Sequence, residues 1–434
     1  MSMVIRNNLD ALRSYNTMNA NHTRAQKNFM KVATGEKINS AQDDSAAFSI
    51  SERMRNRIRS LEQAHRNTQN GTSMIRTASE AVDKITETLR SLKEKAINAA
   101  NDSNTDDDRK TLQKEVNQLI DQIDDNALVT FNGKYLIDNT KNNAATASKT
   151  ILLNQALDKS TALNNDLSAL KNRAGDSLGI TTDDKYQVSW VINGKTETTT
   201  GNADGTKLQD LLETPGTSIL TAAVVAADAT AGTDKYNLDV YTPDKTEGIT
   251  LTAANTGVQD QIAGFTISIT DGAGNIRSIA NSALNQFTEI QRGEIQTSDN
   301  ALNFQVGAEA NVATRIALTD MRAQSLGLKG SDNQYLSVST KDDANAAINV
   351  IDNAIKKVAD QQAALGALVS RLDHTAENLT TSYTNDKSSE SGMRDADMAR
   401  EMTNYTRDNL LAQTSQSMLA QAVRAPENVL ALLS

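Results

Sequence analysis

The stretch ANAAINVIDNAIKKVADQQAALGALVSRLDHTAENLTTSY, residues 344–383, decides the fold. Ala344, Ile348, Ile351, Ile355, Val358, Gln362, Leu365, Val369, Leu372, Ala376, Leu379 and Tyr383 follow one another at alternating steps of four and three, with Gln362 the one strongly polar member. Such steps put every member on one face of a helix, and a repeat sustained this long predicts a coiled-coil seam. In the N-terminal half, Ile75, Ala78, Val82, Ile85, Leu89, Leu92, Ala96 and Ala99 keep the same rhythm. Upstream, Ile50, Met54, Leu61 and Ala64 extend it, interrupted by Arg57, Thr68 and Gly71. A shorter helix carrying Leu112, Val116, Leu119, Ile123 and Ala127 follows a polar break at 101–108 and is expected to fold back. Ile85, Leu89, Leu92, Ile355, Val358, Leu365 and Leu372 are the expected rod-packing residues.

Composition agrees with long helices. The 434 residues include 38% apolar but only 3% aromatic side chains, whereas ligand pockets and large globular cores lean on aromatics. Prolines stand only at Pro215, Pro243 and Pro426, so two long flanks contain no helix breaker. The net charge of −10 argues against a nucleic-acid partner. Arg53, Arg55, Arg57 and Arg59 step by two and scatter around a helix instead of forming a stripe. Zero cysteine removes thiolate chemistry, disulfides and cysteine-based metal sites together. The first residues, Met1 to Asn8, have no apolar core of a signal peptide, and no apolar run is long enough to span a membrane, so no cleaved signal and no membrane partner are expected.

The middle, about 176–285, reads as a β-rich insert. Val188, Trp190 and Ile192 alternate into Asn193-Gly194, a two-residue hairpin signal, before the Thr-rich return at 196–200. Tyr236, Leu238 and Val240, then Phe265, Ile267 and Ile269 ahead of Asp271-Gly272, repeat the theme. Residues 139–150 read as a polar linker and 156–173 as a further short helix. At the two ends lie thin amphipathic stripes: Ile5, Leu9, Leu12, Met18, Ala25, Phe29 and Val32, and Met398, Met402, Tyr405, Leu411, Met418 and Ala422. Nothing nearby in sequence covers either stripe. Apolar faces of that kind favour association, and unlike surfaces meeting by a non-closing rotation give an open helical filament.

Catalytic chemistry finds no foothold, and the chain reads as no enzyme, with no cofactor and no metal. His22, His65 and His374 each sit in a heptad-like run as surface or seam residues, and no nucleophile elbow, phosphate loop, metalloprotease or dinucleotide motif occurs. Asp106, Asp107 and Asp108, like Asp43 and Asp44, precede amphipathic helices, where carboxylates cap free N–H groups.

At this point a family becomes recognisable. Residues 31–46, KVATGEKINSAQDDSA, closely resemble the N-terminal signature of bacterial flagellins. So do the segments at 67–73 and 131–136, while 304–308, 395–401 and 425–433 resemble the motifs of the C-terminal half. The likeness covers both flanks in the family's order, about 1–138 and 286–434. It implies a mainly α subunit whose flanks form coiled-coil rods around a variable β-rich insert. The implied division is 1–42 and 391–434 for an inner core, 43–175 and 286–390 for the helical rods, and 176–285 for the exposed insert. The core self-assembly residues are then Ile5, Leu9, Leu12, Phe29, Met402, Leu411, Met418, Leu430 and Leu433.

The resemblance further implies polymerisation with copies of itself into an extracellular swimming filament, and export through the flagellar type III apparatus without signal cleavage. Implied partners are the filament cap, the hook-associated proteins and an export chaperone gripping the C-terminal helix. The family's host-receptor contact region falls on Leu89, Ser91, Lys95 and Glu115; Ser91 replaces an arginine and Lys95 a leucine, which should weaken recognition by the host Toll-like flagellin sensor. Gly392 and Met393 stand where Arg and Ile are common, which suggests a looser hinge. A hook–filament junction protein is the alternative reading, and a flagellin with an enzymatic insert a less favoured one.

Overall fold

A computed structural model describes residues 8–213, 220–258 and 261–433, with the side chains of the last helix through Arg424. Along the described chain run the helices α1 (Leu9–Thr34), α2 (Ser45–Ala99), α3 (Asp106–Ala127), α4 (Leu208–Leu212), α5 (Ser278–Leu284), α6 (Lys341–Arg394) and α7 (Met398–Leu433). The strands are β1 (Thr130–Phe131), β2 (Lys134–Tyr135), β3 (Ile151–Asn154), β4 (Lys185–Ile192), β5 (Lys195–Asn202), β6 (Leu220–Val225), β7 (Thr230–Thr233), β8 (Asp239–Tyr241), β9 (Gly248–Ala253), β10 (Ile262–Thr270), β11 (Phe287–Gln291), β12 (Leu302–Gln305) and β13 (Ala313–Ile316). The mainly α class with a strand-rich centre is as the sequence predicts.

The helix starts follow from the acidic and amide residues ahead of them. Asn8 accepts from the Ala11 amide, and Asp44 Oδ1 accepts from the amides of Ala46 and Ala47, both at 3.0 Å. Thr105 and Asp108 close a reciprocal capping box at α3. Gly35 ends α1 at φ 74°, a left-handed position that costs glycine nothing.

The chain divides into two compact units. One comprises residues 1–68, 305–312 and 374–434. In it α1 and α7 run antiparallel, and the loop after α1 is stitched to the end of α6: Lys37 N donates to Arg394 O at 2.8 Å and Ala396 N to Gly35 O at 2.8 Å. The arginines that scatter around α2 find carboxylates here. Arg55 Nη2 lies 2.5 Å from Glu36 and its Nε 2.9 Å from Glu390, while Arg57 pairs with Asp386. Helix α6 continues unbroken through Gly392 to Arg394, so the suggested hinge is helical backbone.

The other unit comprises 69–304 and 313–373. There α3 does fold back along α2: Arg109 Nε donates to Ala99 O at 2.9 Å, and Lys95 pairs with Glu115 at 2.5 Å. Asn193 and Gly194, at φ 53° and 74°, turn β4 into β5 with Ile192 opposite Lys195. On its other edge β4 pairs with β10, Trp190 opposite Phe265 and Val188 opposite Ile267. A second sheet runs in the order β11-β3-β9-β6. Val188, Trp190, Phe265 and Ile267 of the first sheet share one core with Leu152 and Leu251 of the second and with Leu208, Leu211 and Leu284 of the short helices.

Three local expectations need correction. Strands reach beyond 176–285 on both sides, because β3 lies inside the second sheet and β11 at its edge. Segment 156–173 holds only a 3-10 turn at Leu167–Ala169. Asp158 and Asn172 each take nearby backbone amides, which competes with helix, and Leu157, Leu167 and Leu170 are pinned in the sheet core. Finally, Asp271-Gly272 leads not to a return strand but to α5; the side chains of Asn281 on it and of Asn285 just after it bond the backbone of Ile269 and Ile267 along β10.

Candidate assembly surfaces

Nothing nearby in sequence covers the end helices, but they meet each other across the length of the chain. What joins them is a polar line. Asn21 Nδ2 donates to Ser415 Oγ at 2.7 Å, Asn28 Nδ2 to Asp408 Oδ2 at 2.8 Å, and Asn8 Nδ2 to the Ala422 carbonyl at 2.8 Å. Asn21 and Asp408 are each only 3% exposed. Ala25 is buried beside them, and Phe29 and Tyr405 meet at the rim with ring centroids 5.8 Å apart.

The pair covers only part of the apolar stripe: Ala25 is buried and Met18, Val32, Tyr405 and Ala422 are half-buried, while the larger members stay open. Leu9 is 61% exposed, Leu12 55%, Phe29 53%, Met402 46%, Leu411 42% and Met418 57%. An open groove on α7 is lined by Met402, Leu410 and Leu411 among threonines. Ile5 lies outside the described residues; Leu430 and Leu433 belong to α7, but their side chains also lie outside them. Water-facing side chains of this size forfeit about 1.5–3 kcal/mol each relative to full burial.

The rods divide similarly. On α2 both rows of the seam are buried, from Ile75 and Ala78 through Ile85, Leu89 and Leu92 to Ala99. On α6 every seventh position is buried: Ala344, Ile351, Val358, Leu365, Leu372 and Leu379. The intervening row, Ile348, Ile355, Gln362, Val369, Ala376 and Tyr383, is half-buried or exposed. Gln362 bonds the Asp83 carboxylate at the surface. One row of the α6 seam is therefore used inside the subunit and one is left over.

In the region of α2 and α3 singled out for receptor contact, Ser91 is exposed, Lys95 is held by Glu115, and Leu89 is fully buried and supports that surface from beneath. Among the described residues no group of three His, Asp or Glu is placed to hold a metal ion. His22 and His374 are exposed on α1 and α6, and His65 is half-buried on α2. No helix of the described residues is long and apolar enough to cross a membrane.

The ion network beside the paired ends was not foreseen in sequence. Arg394, 7% exposed, donates to Glu52 at 2.6 Å and to Glu36 at 2.9 Å. The hydrogen bond from Arg394 holds the Glu52 carboxyl below its ordinary value.

Large apolar side chains left open on helices drawn from both ends of the chain are what a self-associating structural subunit presents. Comparison with known proteins gives that class its family. Residues 5–142 match the bacterial flagellin N-terminal helical region and residues 348–433 the C-terminal helical region. A flagellin of Clostridium tyrobutyricum is 32% identical, with 97% of this chain and 99% of that one aligned. A flagellin of Bacillus subtilis strain 168 is 26% identical over 99% and 100%. Among solved structures, flagellar hook associated protein-3 from Legionella pneumophila aligns over 79% of this chain and 98% of its own, at 16% identity and a TM-score of 0.34, too loose a likeness to carry an argument. The chain belongs to the bacterial flagellin family. It is a structural subunit that assembles with its own copies into the extracellular flagellar filament, the organelle of swimming.

Proposed function

We propose that the outward stripe of α1 and α7, Leu9, Leu12, Phe29, Met402, Leu411 and Met418 together with Ile5, Leu430 and Leu433, is the surface on which neighbouring copies close. The single observation that carries this is that buried Asn21 and Asp408 join the end helices while Leu9, Leu12, Phe29, Met402, Leu411 and Met418 stay exposed. Alone, such a pair gains little from its polar line, because each hydrogen bond only replaces one to water and is worth about 1 kcal/mol net. Burial of the outer stripe by adjoining subunits supplies the rest, so the ends reach full order on polymerisation. The spare α6 row, with Ile355 and Val369, is a second contact between copies, and the division into inner core, helical rods and displayed insert follows the boundaries given above, with 151–154 and 287–291 added to the insert's sheet.

The finer partners belong to the same reading. The chain leaves the cell without signal cleavage, meets the filament cap and hook-associated proteins, and is escorted by a chaperone on α7. It engages the host Toll-like sensor weakly, because Lys95 already occupies Glu115 and Ser91 offers no planar bidentate donor. The insert carries no enzyme.

The test is polymerisation of Leu411→Asp and Met418→Asp, followed by electron microscopy. Folded, soluble subunits that make no filaments support the reading; normal filaments overturn it.

A further inference from the structure

Beside the α6 seam, one position round the helix, lies a cavity of about 550 Å³ that the assembly reading does not use. Its size is ordinary for a small-molecule site. Lys357, Gln361 and Ala364 of α6 form one wall; the others come from loops, with Asn142, Tyr236, Glu294, Asp320, Arg322 and Ser325 among them.

The charge pattern is specific. Lys235, Arg322 and Lys357 face the cavity against two carboxylates, Glu294 and Asp320. Lys235 is bound to both oxygens of Glu294, at 3.0 and 2.9 Å, and Arg322 to both of Asp320, at 3.1 and 2.9 Å. Glu289, close by, is taken by Arg292 at 3.0 Å. Lys357 is the odd cation. It is 5% exposed, its ammonium donates to the Ser325 carbonyl at 2.8 Å and hydroxyl at 2.7 Å, and among the described residues no carboxylate lies within 4 Å of it. Burying a cation with no carboxylate in contact is costly: burial draws the Lys357 ammonium down to about 8, Arg292 adding to the effect and the more distant Glu294, Glu289 and Asp320 opposing it.

One further group is left waiting. Gln361 is 7% exposed and lines the cavity, and among the described residues its amide, a donor and an acceptor together, makes no hydrogen bond. Tyr236 and Ile295 add apolar surface to an otherwise amide- and hydroxyl-rich lining.

We propose that this cavity binds a small hydroxylated monocarboxylate of sugar-acid size, its carboxylate on the Lys357 ammonium and its hydroxyls on the Gln361 amide. The single spare positive charge selects one negative charge over two, and the unpartnered Gln361 amide selects hydroxyls over methylenes.

The experiment is titration calorimetry on full-length depolymerised subunit with three probes: glucuronate, glucose and acetate. Glucuronate is expected to bind at millimolar concentration, and glucose and acetate about tenfold or more weaker, the size of a lost charge-assisted contact. Lys357→Met should abolish the advantage of glucuronate over glucose. Gln361→Leu, at a neutral position of the same wall, should weaken glucuronate while the variant's circular dichroism and filament formation stay as in the parent. No heat at millimolar glucuronate, equal affinity for glucuronate and glucose, or unchanged binding by a folded Gln361→Leu would each overturn the proposal.

Discussion

Arg394 reaches from the last turn of α6 to Glu52 on α2, Nη1 to Oε1 at 2.6 Å, while its Nε holds Glu36 in the loop after α1 at 2.9 Å. One guanidinium thus fixes three segments of the unit that carries the end helices. Arg394→Ala is expected to cost about 2 kcal/mol, less than a fully buried pair because Glu52 is 43% exposed. Urea unfolding measures the loss, and hydrogen exchange should locate it at residues 36–52.

The same network sets an acid limit. Glu52 is held below its ordinary value by Arg394, and Asp43, although burial raises it, is held below by the amides of Asn39 and Ser40. Depressed carboxylates add stability above the unfolded values of 4.5 and 3.8, and that stability is lost as pH falls through their folded values. Urea midpoints between neutrality and pH 3 should fall less steeply in Arg394→Ala than in the parent.

Lys357 acts at the other end of the scale. Its folded value, about 8, lies below the ordinary 10.5, so between those values the unfolded chain binds more protons than the folded one. Stability should therefore rise across that window by about 3 kcal/mol at most. In Lys357→Met the rise should vanish; an identical alkaline profile would show that the ammonium is not desolvated.

The two rows of α6 should separate in experiment. Leu365→Ala, at a fully buried position, is expected to cost about 3 kcal/mol of subunit stability. Ile355→Ala, at a half-buried one, should cost about 1 kcal/mol in the monomer and show mainly as a raised critical concentration for polymerisation.

Gly330 marks where the Asn193-Gly194 hairpin rests on its neighbour. A Cβ there would lie 2.0 Å from the Asn193 carbonyl oxygen, so backbone would have to move. Gly330→Ala should cost about 2 kcal/mol by thermal unfolding and loosen exchange protection at 192–195.

Much of this was legible in the sequence, and the reasons are local. The step of four and three at 344–383 fixes a helix face whatever packs on it, and Asn193-Gly194 demands positive φ wherever it occurs. What escaped depends on distant partners. Ile151 to Leu153 is too short an apolar run to announce a strand, yet β9 and β11 flank it. The contacts of Asn21 and Asn28 with α7 are invisible until that helix is brought alongside, since an amide at a helical position reads as solvent-facing. Lys357 and Gln361 look like the polar flank of the seam, and only the loops over α6 turn that flank into a cavity wall.

Asn8 and the Ala422 carbonyl, hydrogen-bonded at 2.8 Å, stand 414 residues apart. Almost the whole polypeptide must therefore be present before the first and last helices can clasp, and a chain interrupted anywhere between them has no second half to hold. In a chain cut short ahead of α7 the amides of Asn8, Asn21 and Asn28 would have only water to bind.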